Sequence, residues 1–131
     1  MRKRKNIVKD LDNVFSRYIR LRYAKEEICE CYTCGKKAHY KDGMQAGHFR
    51  SRRHYATRWN ELNVQVQCYG CNVGKQGEQY KFGVRLDNEY GIGTAEMLEL
   101  ESHNTVKFSN QDLIELTDHY KKKLKDLEFK K

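Results

Sequence analysis

The spacing of apolar residues predicts a helix near the N-terminus of the chain. Between residues 10 and 27, apolar side chains recur at intervals of three and four, at Leu11, Val14, Phe15, Tyr18 and Ile19. This interval places them on one face of an α-helix. Most basic residues of the segment fall off that face, where they could contact DNA or form a solvated polar surface.

The last third of the chain predicts three further helices. Residues 78–90 read as a helix in spite of Gly83, the GIG sequence at 91–93 ends it, and a short helix follows around residues 95–101. Ser109 and Asp112 then form a start resembling a capping box. A stripe with spacings of three and four follows, at Leu113, Leu116, Tyr120, Leu124 and Leu127. Such a stripe is typical of a core or a dimer seam, and we expect the basic end at 121–131 to fray.

The middle of the chain differs in composition from the helical segments on either side. Residues 31–77 are rich in turns and glycines, and they contain two short pieces typical of strands, MQAGHF at 44–49 and LNVQVQ at 62–67. With 131 residues and no proline, the chain has the size of one domain and no sharp linker. The pattern predicts an α+β fold with helices on both sides of a strand-containing centre.

Charge and hydropathy narrow the class of protein. Lys and Arg total 26 against 18 acidic residues, which gives a formal net charge of +8. A basic balance is typical of nucleic-acid-binding proteins but does not by itself establish one. No apolar run approaches the ~20 residues of a membrane span, and the start of the chain lacks the apolar region of a secretory signal. We therefore expect an intracellular protein that does not contact a membrane.

Four of the five cysteines have the spacing of a metal site. Cys31 and Cys34 form one CxxC pair, and Cys68 and Cys71 form the other. Two such pairs can supply four thiolates to a tetrahedral Zn²⁺, and an intracellular chain is not expected to rely on disulfides. Cys29 is too close to Cys31 for the same geometry, so we expect it to be a free or packing cysteine.

The residues between and after the cysteine pairs suggest phosphodiester chemistry. His48 lies between the pairs, Asn63 lies five residues before Cys68, and Asn72 follows Cys71. An imidazole can deprotonate water near neutral pH, which makes His48 the candidate general base. Asn63, on a neighbouring antiparallel strand, is the candidate group that orients the ring. The Asn72 amide oxygen suits Mg²⁺ or Mn²⁺, which are hard cations.

These motifs resemble a known family. The pieces CYTCG, QAGHFRSRR, TRWNELNVQVQCYGCN and HYKKKLKDLE are similar to the NinG/Rap recombination endonucleases of lambdoid phages, within the four-cysteine zinc branch of the HNH endonuclease superfamily. The resemblance covers the chain from about Tyr18 to Leu127. It implies a metal-dependent DNA endonuclease of the bacterial host cytoplasm, selective for branched recombination intermediates such as Holliday junctions and D-loops.

The resemblance also implies an architecture. It predicts one HNH-like nuclease domain over 1–131, in which a small zinc-stapled ββα-metal core is flanked by N- and C-terminal helices. Residues 1–28 would form a basic leader and helix, 29–90 the zinc and ββα core, and 91–131 a helical C-terminal part. Longer members of the family carry an extra N-terminal cysteine-rich segment, which we expect this chain to lack.

The second ligand of the catalytic cation stays open at this point. Many HNH enzymes have an acidic ligand immediately before the histidine, where this chain has Gly47, and relatives often have Asp three residues before it, where this chain has Gln45. Three carboxylates are alternatives, Asp42, Glu61 and Glu78. Asn72 alone, with water and phosphate oxygens, is a further alternative, as is His48 acting as a ligand.

A dense basic patch surrounds the predicted site. Its members are Arg50, Arg52, Arg53, Arg58 and Lys75. Guanidinium groups bind phosphate in a bidentate way, which fixes register on a nucleic-acid backbone without reading sequence. Trp59 could stack on bases, but we favour a place in the core. His39, His103 and His119 have no partner pattern and are interpreted as ordinary surface or packing residues.

Two other function classes fit part of the pattern. A non-catalytic zinc-knuckle DNA-binding module would explain the four cysteines and the arginines, but it has no need of His48 or Asn72. A structural zinc adaptor would leave the basic patch unexplained. A homodimer would match the near two-fold symmetry of a branched DNA substrate, and the C-terminal stripe could provide its seam.

Overall fold

A computed structural model describes residues 2–129 of the chain. It contains five α-helices, four strands and one π-helical turn among these residues. In chain order they are α1 Arg4–Leu21, β1 Ile28–Glu30, β2 Lys37–His39, β3 Met44–His48, α2 Tyr55–Arg58, β4 Val64–Cys68, the π-helical turn Gly70–Gly74, α3 Gln79–Tyr90, α4 Thr94–Ser102 and α5 Asn110–Phe129. The expected α+β class is confirmed.

Helix α1 has the predicted apolar face, but it begins and ends at other residues than the predicted segment. It buries Ile7, Leu11, Phe15 and Ile19, so the helical register extends one turn further toward the N-terminus than the segment from residue 10. The helix begins at Arg4 inside the expected basic leader and stops at Leu21. Backbone with positive φ at residues 26 and 27 then turns the chain into β1.

Helix α5 lies beside α1 and runs in the same direction. Arg4 at the start of α1 contacts Asn110 at the start of α5, and Tyr18 near the end of α1 lies 5.3 Å from the ring of Tyr120. The C-terminal stripe therefore packs on α1, and Leu113 is fully buried in that contact. Helix α5 continues to Phe129, so the expected fraying is wrong up to that residue, and Lys130 and Lys131 lie outside the described residues.

The start of α5 is closed by a reciprocal capping box, as expected. The Asp112 amide donates to Ser109 Oγ at 3.0 Å, and the Ser109 amide donates to Asp112 Oδ2 at 2.9 Å. Two backbone donors that a helix start leaves free are satisfied in this way. The hydrogen bond from the Ser109 backbone lowers the pKa of the Asp112 carboxyl, which agrees with its place at a helix N-terminus.

Two antiparallel hairpins form the centre of the fold. Strands β1 and β2 pair with Cys29 opposite Ala38. Strands β3 and β4 pair with Met44 opposite Cys68 and His48 opposite Val64. Among residues 2–129, β3 pairs only with β4, so its second edge stays open. This register brings the end of β4 to the start of β3 and places His48 at the end of the hairpin.

Helices α3 and α4 cover the other side of this centre, close to their predicted positions. Gly83 sits inside α3, where a Cβ atom would lie 3.2 Å from the Phe49 ring and 3.5 Å from Ala95. The glycine thus lets α3 approach both neighbours closely. Gly91 and Gly93 have positive φ between the two helices, which explains why the helical pattern breaks there.

In the part of the chain that the structure describes, no helix has both the length and the apolar character needed to cross a bilayer.

Candidate active site

The four predicted cysteine ligands come together. The Sγ atoms of Cys31, Cys34, Cys68 and Cys71 all lie within 4.8 Å of one another. Cys34 Sγ and Cys68 Sγ are 3.7 Å apart. Sulfur atoms bound to one tetrahedral Zn²⁺ at ~2.3 Å are separated by about 3.8 Å. The cluster therefore has the donor type, number and spacing to hold a metal ion.

Each CxxC pair sits on a tight backbone turn. The Gly35 amide donates to the Cys31 carbonyl at 3.0 Å, and Gly35 has a φ of 81°, a conformation that glycine adopts without strain. At the second pair, the Lys75 amide donates to the Gly70 carbonyl at 2.8 Å across the π-helical turn that contains Cys71. Burial, together with the neighbouring thiols, raises the pKa of Cys71 to about 12, so a bound cation would be needed to favour its thiolate.

Cys29 stays outside this cluster, as expected. Its side chain is buried in β1 and packs with Tyr40 and Met44. Burial raises the pKa of its thiol, which agrees with a packing role for this residue.

His48 is held by a backbone carbonyl. Its Nε2–H donates to the Arg58 carbonyl oxygen at 3.0 Å. This bond fixes the tautomer and leaves Nδ1 as the acceptor nitrogen. Burial lowers the pKa of the ring to about 4, and the positive charges of Arg52 and Arg58 act in the same direction. His48 is therefore a neutral imidazole at pH 7, with one nitrogen able to accept a proton.

Asn63 is close to the site but does not orient the ring directly. Its Oδ1 accepts from the Arg50 amide at 2.8 Å, and its Nδ2 donates to the carbonyls of Arg50 and Thr57, both at 3.0 Å. The residue is fully buried. Asn63 thus joins Arg50, in the loop after β3, to Thr57 in α2. The ring of His48 is held by the Arg58 carbonyl and not by Asn63 as expected.

Asn72 lies in the π-helical turn, directly after Cys71. Its Nδ2 donates to Gln45 Oε1 on β3 at 2.7 Å, which leaves its own Oδ1 as the acceptor of the amide. The chain forms a single π-helical turn here, and α3 begins only at Gln79. Cys71 lies in the same turn, which places the backbone of Asn72, while the hydrogen bond to Gln45 orients its amide.

One cleft joins the histidine and the asparagine. It has a volume of about 800 Å³, and β3 contributes to its walls together with α1, the loop after β3 and the π-helical turn. Its lining includes Gln45, His48, Arg50, Arg52, Arg53, Asn72, Gln76 and Gln79. Three of the five predicted DNA-binding residues, Arg50, Arg52 and Arg53, are therefore at the cleft, while Lys75 is exposed outside its lining.

Arg58, the fifth predicted DNA-binding residue, is outside the cleft lining and is paired with Asp12. Its Nε and Nη2 donate to the Asp12 carboxylate at 3.2 Å and 2.5 Å. Only 14% of its side chain is exposed. The Asp12 partner on α1 explains why Arg58 is a structural ion-pair residue here rather than an open phosphate contact.

Asp12 is a residue that the sequence did not single out. Its carboxylate also accepts from Trp59 Nε1 at 2.9 Å and lies 3.7 Å from Arg52. It thereby ties α1 to the segment that supplies the Arg58 carbonyl. Its partners are forty or more positions away along the chain, so no local spacing could have found it.

Trp59 is a core residue, as favoured, and it lies away from the cysteine cluster. It is 7% exposed, belongs to the cluster of α1 and α5, and meets Phe108 edge to face at 5.5 Å. Stacking on bases would require that ring to be free. The single tryptophan therefore stabilises the helical side of the molecule.

The three alternative carboxylates lie outside the cleft lining. Glu61 accepts from Tyr120 and Lys123 at 2.9 Å and 2.8 Å, so it joins α5 to the loop before β4. Glu78 pairs with Lys81 at 3.2 Å, and Asp42 is exposed. Their places argue against each as a ligand beside Asn72.

Gly47, at the position where HNH enzymes commonly have an acidic residue, lies against the side chain of Gln67. A Cβ atom at this position would overlap the side chain of Gln67, which is fully buried on β4. Gln67 Nε2 donates to the Gly77 carbonyl at 2.8 Å and to Thr33 Oγ1 at 3.1 Å. The packing of Gln67 therefore requires glycine at 47 and excludes a ligand side chain there.

Comparison with known proteins gives one family. A family model described as Bacteriophage Lambda NinG protein matches residues 1–130. Protein ninG of Escherichia phage lambda is 30% identical over 98 residues, which are 74% of this chain and 47% of that protein. Protein ninG of Salmonella phage P22 is 29% identical over 98 residues, with the same shares. The chain spans about half the length of the curated relatives it matches, and no solved structure matches it.

Proposed function

The chain belongs to the bacteriophage lambda NinG family, and on this premise we propose that it is a metal-dependent DNA endonuclease of the HNH type. The observation that carries the proposal is the His48 ring, whose Nε2–H is fixed on the Arg58 carbonyl inside a basic cleft. A purely structural histidine has no need of a free acceptor nitrogen beside three arginines.

His48 acts as the general base in this proposal. Its Nδ1 takes a proton from water. The Arg58 carbonyl keeps the ring in one tautomer, and its hydrogen bond to Nε2–H stabilises the positive charge that forms on the ring. Because the pKa of the free ring is lowered to about 4, the base form is fully populated at neutral pH. A phosphate beside the ring would raise that pKa and strengthen the base.

Asn72 is the proposed ligand of a catalytic Mg²⁺ or Mn²⁺. Its Oδ1 is an uncharged hard oxygen in the cleft, which is a donor type that these cations accept. Such a cation, when bound, supplies stabilisation of the negative charge on the phosphate and on the leaving 3′ oxygen. Asn72 itself needs only a fixed place in the cleft, which its backbone position after Cys71 provides.

The cysteine cluster has a structural role in the proposal. Zn²⁺ bound by Cys31, Cys34, Cys68 and Cys71 would join the β1–β2 hairpin to the end of β4. Together, β3, β4 and the π-helical turn correspond to a compact form of the ββα-metal unit. Arg50, Arg52 and Arg53 would bind the phosphate backbone, and we propose branched recombination intermediates as substrates because of the NinG/Rap resemblance.

Cleavage of a labelled four-way junction beside a matched linear duplex tests the proposal. The wild type, His48→Ala and His119→Ala are compared with Mg²⁺ or Mn²⁺. His119 is exposed on α5 outside the cleft, so its loss should leave cutting unchanged. We expect the wild type to cut the junction in preference to the duplex. His48→Ala should lose at least about 10²-fold in rate, since a positioned base contributes 10² to 10⁴, while keeping DNA binding.

The result that would overturn the proposal is tight binding by the wild type without cutting in either metal. That outcome would favour the non-catalytic zinc-knuckle DNA-binding module. Equal cutting of junction and duplex would retain the nuclease and remove the branch selectivity.

A further inference from the structure

A second oxygen ligand beside Asn72 can come from the neighbouring strand β3. Side chains alternate along a strand, so Gln45 and Gly47 of β3 share one side, while His48, at the end of the strand, reaches the same cleft from the other side. Asn72 reaches that first side, because its amide contacts Gln45. Position 47 is closed by Gln67, which leaves Gln45 as the side chain of β3 that can stand next to Asn72.

Gln67 itself does not compete for this role. Its Oε1 is buried without a hydrogen-bond partner among the described residues, and the residue is fully sealed from solvent. Gln45 differs in both respects, since it is half-buried and lines the cleft. An approaching hydrated cation can therefore meet Gln45 but cannot meet Gln67.

We propose that Gln45 Oε1 and Asn72 Oδ1 together form the protein part of the divalent cation site. This inference rests on the proposed function for the identity of the cation as Mg²⁺ or Mn²⁺. Gln45 Oε1 lies 2.7 Å from Asn72 Nδ2. Rotation of the Asn72 amide by a half turn places Oδ1 where Nδ2 now lies, and adjacent oxygens around an octahedral Mg²⁺ are about 2.9 Å apart.

The two ligands are uncharged, which has a consequence for affinity. The free protein should bind the cation weakly, because no carboxylate balances its charge. DNA phosphate oxygens complete the site, so cation and DNA should bind with positive coupling. A carboxylate at position 45 would provide the missing charge without a change of shape.

Mn²⁺ binding to the zinc-loaded full chain, measured without DNA from the free Mn²⁺ electron paramagnetic resonance signal, tests this assignment. The variants are Gln45→Glu and, as a matched control, Gln76→Glu, which adds the same charge at another glutamine of the cleft. Each is measured alone and combined with Asn72→Ala. We expect Gln45→Glu to tighten Mn²⁺ binding roughly tenfold or more, Gln76→Glu to have a much smaller effect, and Asn72→Ala to remove the gain at position 45.

Two results would overturn the assignment. Equal gains for both glutamate variants would show a general charge effect, and a gain that persists with Asn72→Ala would separate Gln45 from Asn72. The readout does not depend on cleavage. If the gain in Mn²⁺ affinity at position 45 depends on Asn72 but the protein cuts no DNA, the ligand pair is retained and the nuclease is rejected. If the protein cuts DNA but the gain does not depend on Asn72, the nuclease is retained and the ligand pair is rejected.

Discussion

Asp12 connects the N-terminal helix to the residue that orients His48, the proposed general base. Its carboxylate holds the Arg58 guanidinium and the Trp59 indole, and the Arg58 carbonyl holds His48. Asp12 also lines the cleft, where a negative charge repels phosphate. The same side chain therefore favours the geometry of His48 and opposes the binding of DNA, so the two effects can be separated by experiment.

Replacement of Asp12 by Asn should move affinity and rate in opposite directions. Loss of the charge should tighten DNA binding, because Arg52 and Arg58 are then less neutralised. The single-turnover cleavage rate at saturating DNA should fall by about one order of magnitude, since small displacements of a positioned base are costly. Anisotropy gives the affinity, and quenched single-turnover reactions give the rate.

Asp10→Asn is the matched control for this prediction. Asp10 lies on the same helix, is half exposed and pairs with Arg2 outside the cleft, so its loss should change neither quantity much. Tighter binding at the wild-type rate in Asp12→Asn would show that Asp12 acts on DNA alone and does not position His48.

Single residues differ in how far the sequence can reveal them. His48, Asn72 and the four cysteines follow from spacing, because a metal cluster needs particular residue types at close positions. The support of His48 could not be predicted, because a backbone carbonyl at Arg58 carries no signature of residue type. The roles of Asp12 and Gln45 depend on contacts across 46 and 27 positions, which no local pattern encodes.

At the scale of elements, the cysteine cluster joins three short segments. Strands β1 and β2 have three residues each, and the π-helical turn has five. Short pieces bury little apolar surface by themselves, so a cross-link adds to the packing of Cys29 with Tyr40 and Met44. A bound metal would thus fix the π-helical turn and, with it, Asn72.

Cys71→Ser should therefore cost several kcal/mol of stability, because structural zinc binding contributes directly to folding. Zinc content by mass spectrometry and the thermal midpoint Tm check this. Cys29→Ser is the control, since Cys29 is buried close to the cluster but outside it. It should keep one zinc per chain and lose less stability. A Cys71→Ser protein that stays folded with full zinc would contradict the ligand assignment.

Element types were predicted better than element ends. The periodicity of α1 and α5 is strong enough to show two helices, because each buries an apolar stripe. Helices α3 and α4 were placed mainly by the GIG sequence that separates them. The four-residue α2 and the two short strands of the first hairpin were not specified, since pieces of three or four residues show no periodicity. The π-helical turn Gly70–Gly74 was not specified either.

At the scale of the whole molecule, the basic residues behind the net charge of +8 differ in whether an acidic side chain neutralises them. Part of the positive charge is neutralised inside the fold, as Arg58 is by Asp12 and Lys123 is by Glu61. The cleft keeps Arg52, of which 62% of the side chain is exposed, and the exposed Arg53. Association with DNA should therefore depend on a few arginines at the cleft and not on overall charge.

The salt dependence of DNA binding distinguishes these two possibilities. Arg52→Ala and Arg53→Ala should each lower the slope of log affinity against log salt by about one, because each removes one phosphate contact. Lys75→Ala removes the same charge from an exposed position outside the cleft and should leave the slope nearly unchanged. Similar losses in all three variants would show that the whole basic surface binds DNA diffusely. A loss confined to the arginines would place the phosphate backbone in the cleft, next to the acceptor nitrogen of His48, where hydrolysis requires it to be.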